Sequence, residues 1–194
     1  MKKVALLLLL LPSIVLAQAD NAVLKDGLNM VNFQQCQTIL QACDRDLYLK
    51  PVCLEQKLYR YPECVQLSAL AKLASVSADL ISAKSEGNLA LITFRDPIQA
   101  QVAYAVLSQG KLIDVSVDPE KVMPSLKEQY PNGMFFSRVI AEPLYKVSAS
   151  GDRQFIASIR IAKDCDVCDT LGNVKLILHF EPNGKYVSRQ IESN

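Results

Sequence analysis

Six cysteines set the chemistry open to this chain: Cys36, Cys43, Cys53 and Cys64 in its first third, then Cys165 and Cys168 after a gap of 101 residues. A thiol can attack, ligate a metal or be oxidised, and the compartment decides among these. The N-terminus supplies the compartment. Lys2 and Lys3 form a short positive end, residues 4 to 17 form an apolar run containing Pro12, and Ala17-Gln18-Ala19 places small residues where a signal peptidase inspects the chain. Residues 1–19 therefore read as an export signal, with the mature chain starting at Asp20 and residing in the periplasm or outside the cell. The apolar run is 14 residues, short of the roughly 18 to 20 that span a bilayer as a helix, and no later stretch comes close, so no transmembrane anchor is expected after cleavage. Six cysteines in an exported chain read as disulfides, paired within each group because short loops close most readily.

Helix geometry narrows the pairing in the first group. Cys36 and Cys43 are seven residues apart, so on one continuous helix their Cα atoms would be about 10 Å apart, beyond the roughly 7 Å a disulfide bridges. Seven residues is close to two turns, so both side chains share a face and can meet a second helix. If residues 44 to 51 reverse the chain, Cys43 meets Cys53 near the bend and Cys36 meets Cys64 further along. The arms then differ, seven residues against eleven, and the second must bend, for which Pro62 is placed. Cys36 with Cys53 and Cys43 with Cys64 is the alternative.

Cys165-Asp166-Val167-Cys168 has the spacing of a redox dithiol, whose first cysteine is activated at the start of a helix following a strand. Here the apolar pattern after Asp169 is strand-like, and Asp164, Asp166 and Asp169 disfavour a thiolate. The pair reads as a disulfide pinning a hairpin loop. Zinc would need a second pair at finger spacing, so no metal site is expected.

Other reactive residues are sparse. His179, the sole histidine, lies in an apolar strand pattern without a Gly-x-Ser-x-Gly or comparable nucleophile signature, and reads as a packed side chain. Asp96, Asp114 and Asp118 are carboxylates of the kind that line acid-base clefts, without a pattern that joins them. Tyr48, Tyr59 and Tyr61 interleave with Lys50, Lys57 and Arg60, either as a sugar- or partner-contact surface or as packing around the disulfides. No catalytic residue and no cofactor are assigned.

The elements that must position these residues follow from periodicity. Residues 23 to about 43, 52 to 60 and 63 to 84 carry apolar residues at helical spacing, with Ser85-Glu86-Gly87-Asn88 as the final stop. Strand patterns then take over at 89–94, 101–107 and 112–117, the last two joined by a hairpin turn at Ser108-Gln109-Gly110-Lys111. Asp118-Pro119 caps a short or broken helix over 119–130, interrupted at Pro124. An antiparallel meander completes the chain: 135–147 disturbed at Pro143, then 154–162, 174–180 and 186–191, with Asn183-Gly184 marking the last turn. The expected fold is α+β: a disulfide-braced helical module over residues 20–87, then a mainly antiparallel β-rich domain over 88–194 with one short helix.

Removing the signal takes two lysines and no acid from 21 basic and 20 acidic residues, leaving the mature chain near neutrality. A neutral chain with singly scattered Lys and Arg gives no electrostatic reason to bind nucleic acid. The expectation is an exported, noncatalytic binding or assembly protein of the cell envelope or secretion apparatus, with another protein as partner. A thiol-disulfide oxidoreductase using Cys165 and Cys168, or a secreted enzyme inhibitor, are the alternatives.

Overall fold

A computed structural model describes residues 23–24, 28, 33–45, 48–73, 79–95, 101–165 and 168–193. The export signal at 1–19 and Asp96 lie outside the described residues. The architecture is α+β: helices braced by two disulfides, followed by two open antiparallel sheets.

Among the described residues, three α-helices with defined bounds precede the sheets: α1 (Phe33–Gln41), α2 (Lys50–Arg60) and α3 (Val65–Leu73). Pro51 sits in the first turn of α2, where the backbone amide lacks a helical acceptor anyway. At the other end Tyr61 leaves helical geometry (φ −130°, ψ 72°), as the residue before Pro62 is driven to do. A one-turn 3₁₀ helix, Pro62–Cys64, then redirects the chain into α3. This is the bend that the unequal cysteine spacing requires.

The first sheet is a four-stranded meander in the order β1 (Asp79–Glu86), β2 (Leu89–Arg95), β3 (Val102–Ser108) and β4 (Lys111–Asp114). The helix expected to run from 63 to 84 is therefore corrected: α3 ends at Leu73, and residues 79–86 pair with β2. Leu80 is buried in that pairing, and the adjacent apolar strand offers its backbone a complete ladder, which outweighs a helical apolar stripe. Gly87-Asn88 is a two-residue hairpin turn instead of a helix stop, with Gly87 at φ +69°. The turn at Gln109-Gly110 has both central residues at positive φ (46° and 77°), which matches the right-handed strand twist.

Two one-turn helices, α4 (Pro119–Val122) and α5 (Leu126–Gln129), flank Pro124 and lead into the second sheet. Its strands are β5 (Phe135–Val139), β6 (Leu144–Val147), β7 (Arg153–Lys163), β8 (Thr170–Phe180) and β9 (Tyr186–Ser193). The order is β5-β7-β8-β9, and β6 pairs with the other half of β7. Pro143 thus splits the expected 135–147 strand into two edge pieces.

Burial shows how the layers stack. Ala90, Ile92 and Leu107 join Leu24, Leu28, Cys36, Cys64, Leu67 and Leu70 in a core between the helices and one face of the first sheet. Leu89, Leu91 and Val106 face the other way, into a second core with Phe155, Ile159, Leu176, Leu178 and Phe180 of the second sheet. The first sheet is consequently covered on both faces, and Leu89–Ile92 are all buried. The second sheet turns only one face inward, and β7 alternates accordingly. Four rings, Tyr145, Phe155, Phe180 and Tyr186, run across that inner face with successive centroids 5.2, 6.0 and 5.7 Å apart.

Polar contacts lock the sheets to each other. The buried Ser108 hydroxyl donates to the Gly184 carbonyl at 2.7 Å, and Arg153 Nη1 donates to Asn88 Oδ1 beside it. From β9, Arg189 donates to the Asp114 carbonyl at 2.9 Å, and from β5, Ser137 donates to the Val117 carbonyl at 2.7 Å.

Candidate functional site: a tyrosine face on the braced helices

The structure joins Cys43 to Cys53 and Cys36 to Cys64, with Cα separations of 5.6 and 5.2 Å. Cys36, Cys43 and Cys64 are buried, and Cys53 is half-buried on α2. One bridge therefore holds the N-terminal part of α2, and the other holds the turn that follows its C-terminus.

Helix α2 itself buries no residue. Cys53, Leu54, Lys57 and Leu58 are half-buried on its inner side, while Val52, Glu55, Gln56, Tyr59 and Arg60 are exposed. Val52, Glu55 and Tyr59 recur at helical spacing and form one outward stripe, and the exposed Tyr48 lies in the turn just before the helix. Tyr48 is 96% and Tyr59 92% exposed, and Leu49 and Val52 add 61% and 52% exposed apolar side chains. Glu55, Gln56, Lys57, Tyr59 and Arg60 line an open depression of about 620 Å³. Lys57 and Arg60 in the last turn also complement the helix dipole.

The three tyrosines thus separate. Tyr61 is half-buried and packs on the helical core, whereas Tyr48 and Tyr59 face solvent. Packing on the helical core accounts for Tyr61. Leu49, Val52, Glu55 and Gln56 were not singled out in the sequence, although the spacing 48, 52, 55, 59 carries the signal.

The second cysteine group lies at the end of the β7–β8 hairpin, where Cys165 bonds to Cys168. Cys165 is half-buried and Cys168 exposed. The backbone closes around them: Lys163 N–H donates to the Asp169 carbonyl at 3.2 Å and Asp164 N–H to the Met134 carbonyl at 2.7 Å. Beyond the pair, Thr170 begins a strand, so among the described residues no helix starts directly after Cys168.

The remaining candidates do not converge. His179 is half-buried on β8; Gln154 Nε2 lies 3.4 Å from its Nδ1, and Ser188 stands opposite it on β9. An amide, not a carboxylate, thus meets that ring nitrogen. Asp114 accepts a hydrogen bond from its neighbour Ser116. Asp118 caps α4 by accepting from Glu120 N–H at 3.1 Å, and Lys121 beside it holds its carboxyl below the ordinary range. Both are engaged in local structure. Among the described residues, no three His, Cys, Asp or Glu side chains group as metal ligands, and no helix is long and apolar enough to cross a membrane.

Compared with family models, curated proteins and solved structures, the chain matches none.

Proposed function

We propose that this is an exported, noncatalytic binding or assembly protein, working at the cell envelope or in a secretion apparatus, in the periplasm or outside the cell. It engages a protein partner through the Tyr48–Tyr59 face of α2. The observation that carries this reading is the near-complete exposure of Tyr59 on α2 and of Tyr48 just before it, with Val52 half exposed between them, on a helix flanked by disulfides. Tyr and Arg dominate the energetics of protein interfaces, because they bury large area with few rotors while keeping a polar tip. Bridges near both ends of α2 limit the conformational freedom that binding would otherwise remove. Oxidised cysteines fit the exported compartment read from residues 1–19.

The test is affinity capture of the mature protein in its own host, comparing wild type with Tyr48→Ser/Tyr59→Ser. If the two rings are interface anchors worth roughly 1.4 kcal/mol each, partner affinity falls about a hundredfold while unfolding is unchanged. A partner retained at full affinity by the double variant refutes the assignment of this face.

One observation favours a second reading, a thiol-disulfide oxidoreductase: Cys168 is exposed to an incoming thiol. Insulin-reduction turnover that is lost in Cys165→Ser/Cys168→Ser would establish it. The strand that begins at Thr170 argues for no turnover, because a redox dithiol is activated at the start of a following helix.

A further inference from the structure

We infer that Cys165–Cys168 is a reversible thiol-exchange site, opened by an external dithiol that attacks Cys168 Sγ while both sheets and both helical bridges stay intact. Thiol-disulfide exchange requires in-line access of a thiolate to one sulfur. Of the six cysteines, Cys168 alone is exposed; Cys36, Cys43 and Cys64 are at most 4% exposed, and each helical bridge contains at least one of them. Residue exposure therefore selects the bridge, and within it Cys168 over the half-buried Cys165.

The surrounding structure holds the loop without the bridge. Lys163 N–H to the Asp169 carbonyl closes the hairpin outside the two cysteines. Asp164 N–H to the Met134 carbonyl ties the loop to the start of β5, and Met134 N–H returns a bond to Asp164 Oδ1 at 3.4 Å. Lys163 Nζ lies 4.5 Å from the centre of the Tyr130 ring, a further contact that involves neither sulfur. With its two ends pinned, the opened pair remains close enough to close again.

The exchange balances with a dithiol as reductant. Its first thiolate bonds to Cys168 Sγ and breaks the Sγ–Sγ bond, releasing the Cys165 thiolate. Its second thiolate attacks the dithiol's own sulfur in that mixed disulfide, forms a cyclic disulfide and releases the Cys168 thiolate. The dithiol is oxidised by two electrons, and its two protons end, through solvent, on Cys165 and Cys168. The protein is the substrate of this exchange and not its catalyst, because the chain continues after Cys168 into a strand at Thr170 and not into the helix that activates a redox dithiol.

The test is native titration of the full mature chain with dithiothreitol, iodoacetamide alkylation, peptide mapping and circular dichroism. Cys165 and Cys168 should be alkylated at dithiothreitol concentrations about tenfold below those that open the helical bridges, with an unchanged spectrum and re-closure on adding oxidised dithiothreitol. Opening of all three bridges together, or earlier opening of Cys43–Cys53, overturns the inference. Loss of the spectrum as Cys165 and Cys168 open does the same. A monothiol tests the point of attack: after brief exposure of the oxidised protein to glutathione, acid quenching and peptide mapping, the first mixed disulfide should lie on Cys168. A first adduct on Cys165 would contradict attack at Cys168.

Discussion

Replacing Cys36 and Cys64 together by alanine tests how the helical layer is held. This bridge spans 28 residues, and releasing it frees unfolded-chain entropy worth about 3.6 kcal/mol at 25 °C on the loop-closure estimate. Cys43–Cys53 lies inside the same loop and already ties off a span of 10 residues, which brings the expected loss to about 3 kcal/mol. Both sulfurs are also buried among Leu67, Leu70 and Ile92, so removing them leaves a hole that adds about 1 kcal/mol. A total of about 4 kcal/mol is a large share of the 5 to 15 kcal/mol typical of a domain. Urea unfolding of the mature chain, followed by circular dichroism, should show this loss. Cys43→Ala/Cys53→Ala should lose less, about 2 to 3 kcal/mol, since its loop is shorter. Equal losses from the two double variants, or a loss under about 1 kcal/mol from Cys36→Ala/Cys64→Ala, would refute the reasoning.

Gly184→Ala should cost about 2 kcal/mol in the same assay: its φ is +81° and an added Cβ would stand 2.8 Å from Asn88, the residue that receives Arg153. Gly151→Ala shares the positive φ but meets its nearest neighbour, Pro182, at 3.5 Å, so it should cost about half as much. Burial, reinforced by the Glu142 carboxylate, pushes the Tyr104 phenol above its ordinary value, so the folded protein keeps that proton longer than the unfolded chain does. Stability from this group is complete below the unfolded value of 10.0 and is lost as pH rises through the folded one. Spectrophotometric titration of phenolate should show a late step that Tyr104→Phe removes. N-terminal sequencing of exported protein should begin at Asp20, and an intact Met1 on released protein would contradict the signal.

Much of this fold was legible in the residues, for specific reasons. The expected pairing of Cys43 with Cys53 and Cys36 with Cys64 followed from helix rise and one proline, both local properties, and the structure has those bridges. The strands also announced how they are covered: Leu89–Ile92 is a continuous apolar run because β2 faces cores on both sides, while β7 alternates because one face is solvated. The misreading of 79–84 has an equally physical cause. Leu80 and Ile81 continue a helical stripe from Leu70 and Leu73, and only the pairing with β2 reveals the strand. At the candidate site, residue type marked the tyrosine cluster but not its exposure. Tyr59 and Tyr61 are two residues apart, so helical geometry and the bend before Pro62 send them to different sides, and the position of the helical core decides which side is solvent.

The proposal that α2 is the binding face is tested most directly by a photocrosslinking residue placed at Val52, between the two exposed tyrosines, in protein expressed in its own host. The account predicts one discrete adduct that disappears when Tyr48→Ser and Tyr59→Ser are added. An adduct unaffected by those substitutions, or one formed only from a probe at Leu144 on the second sheet, would contradict it.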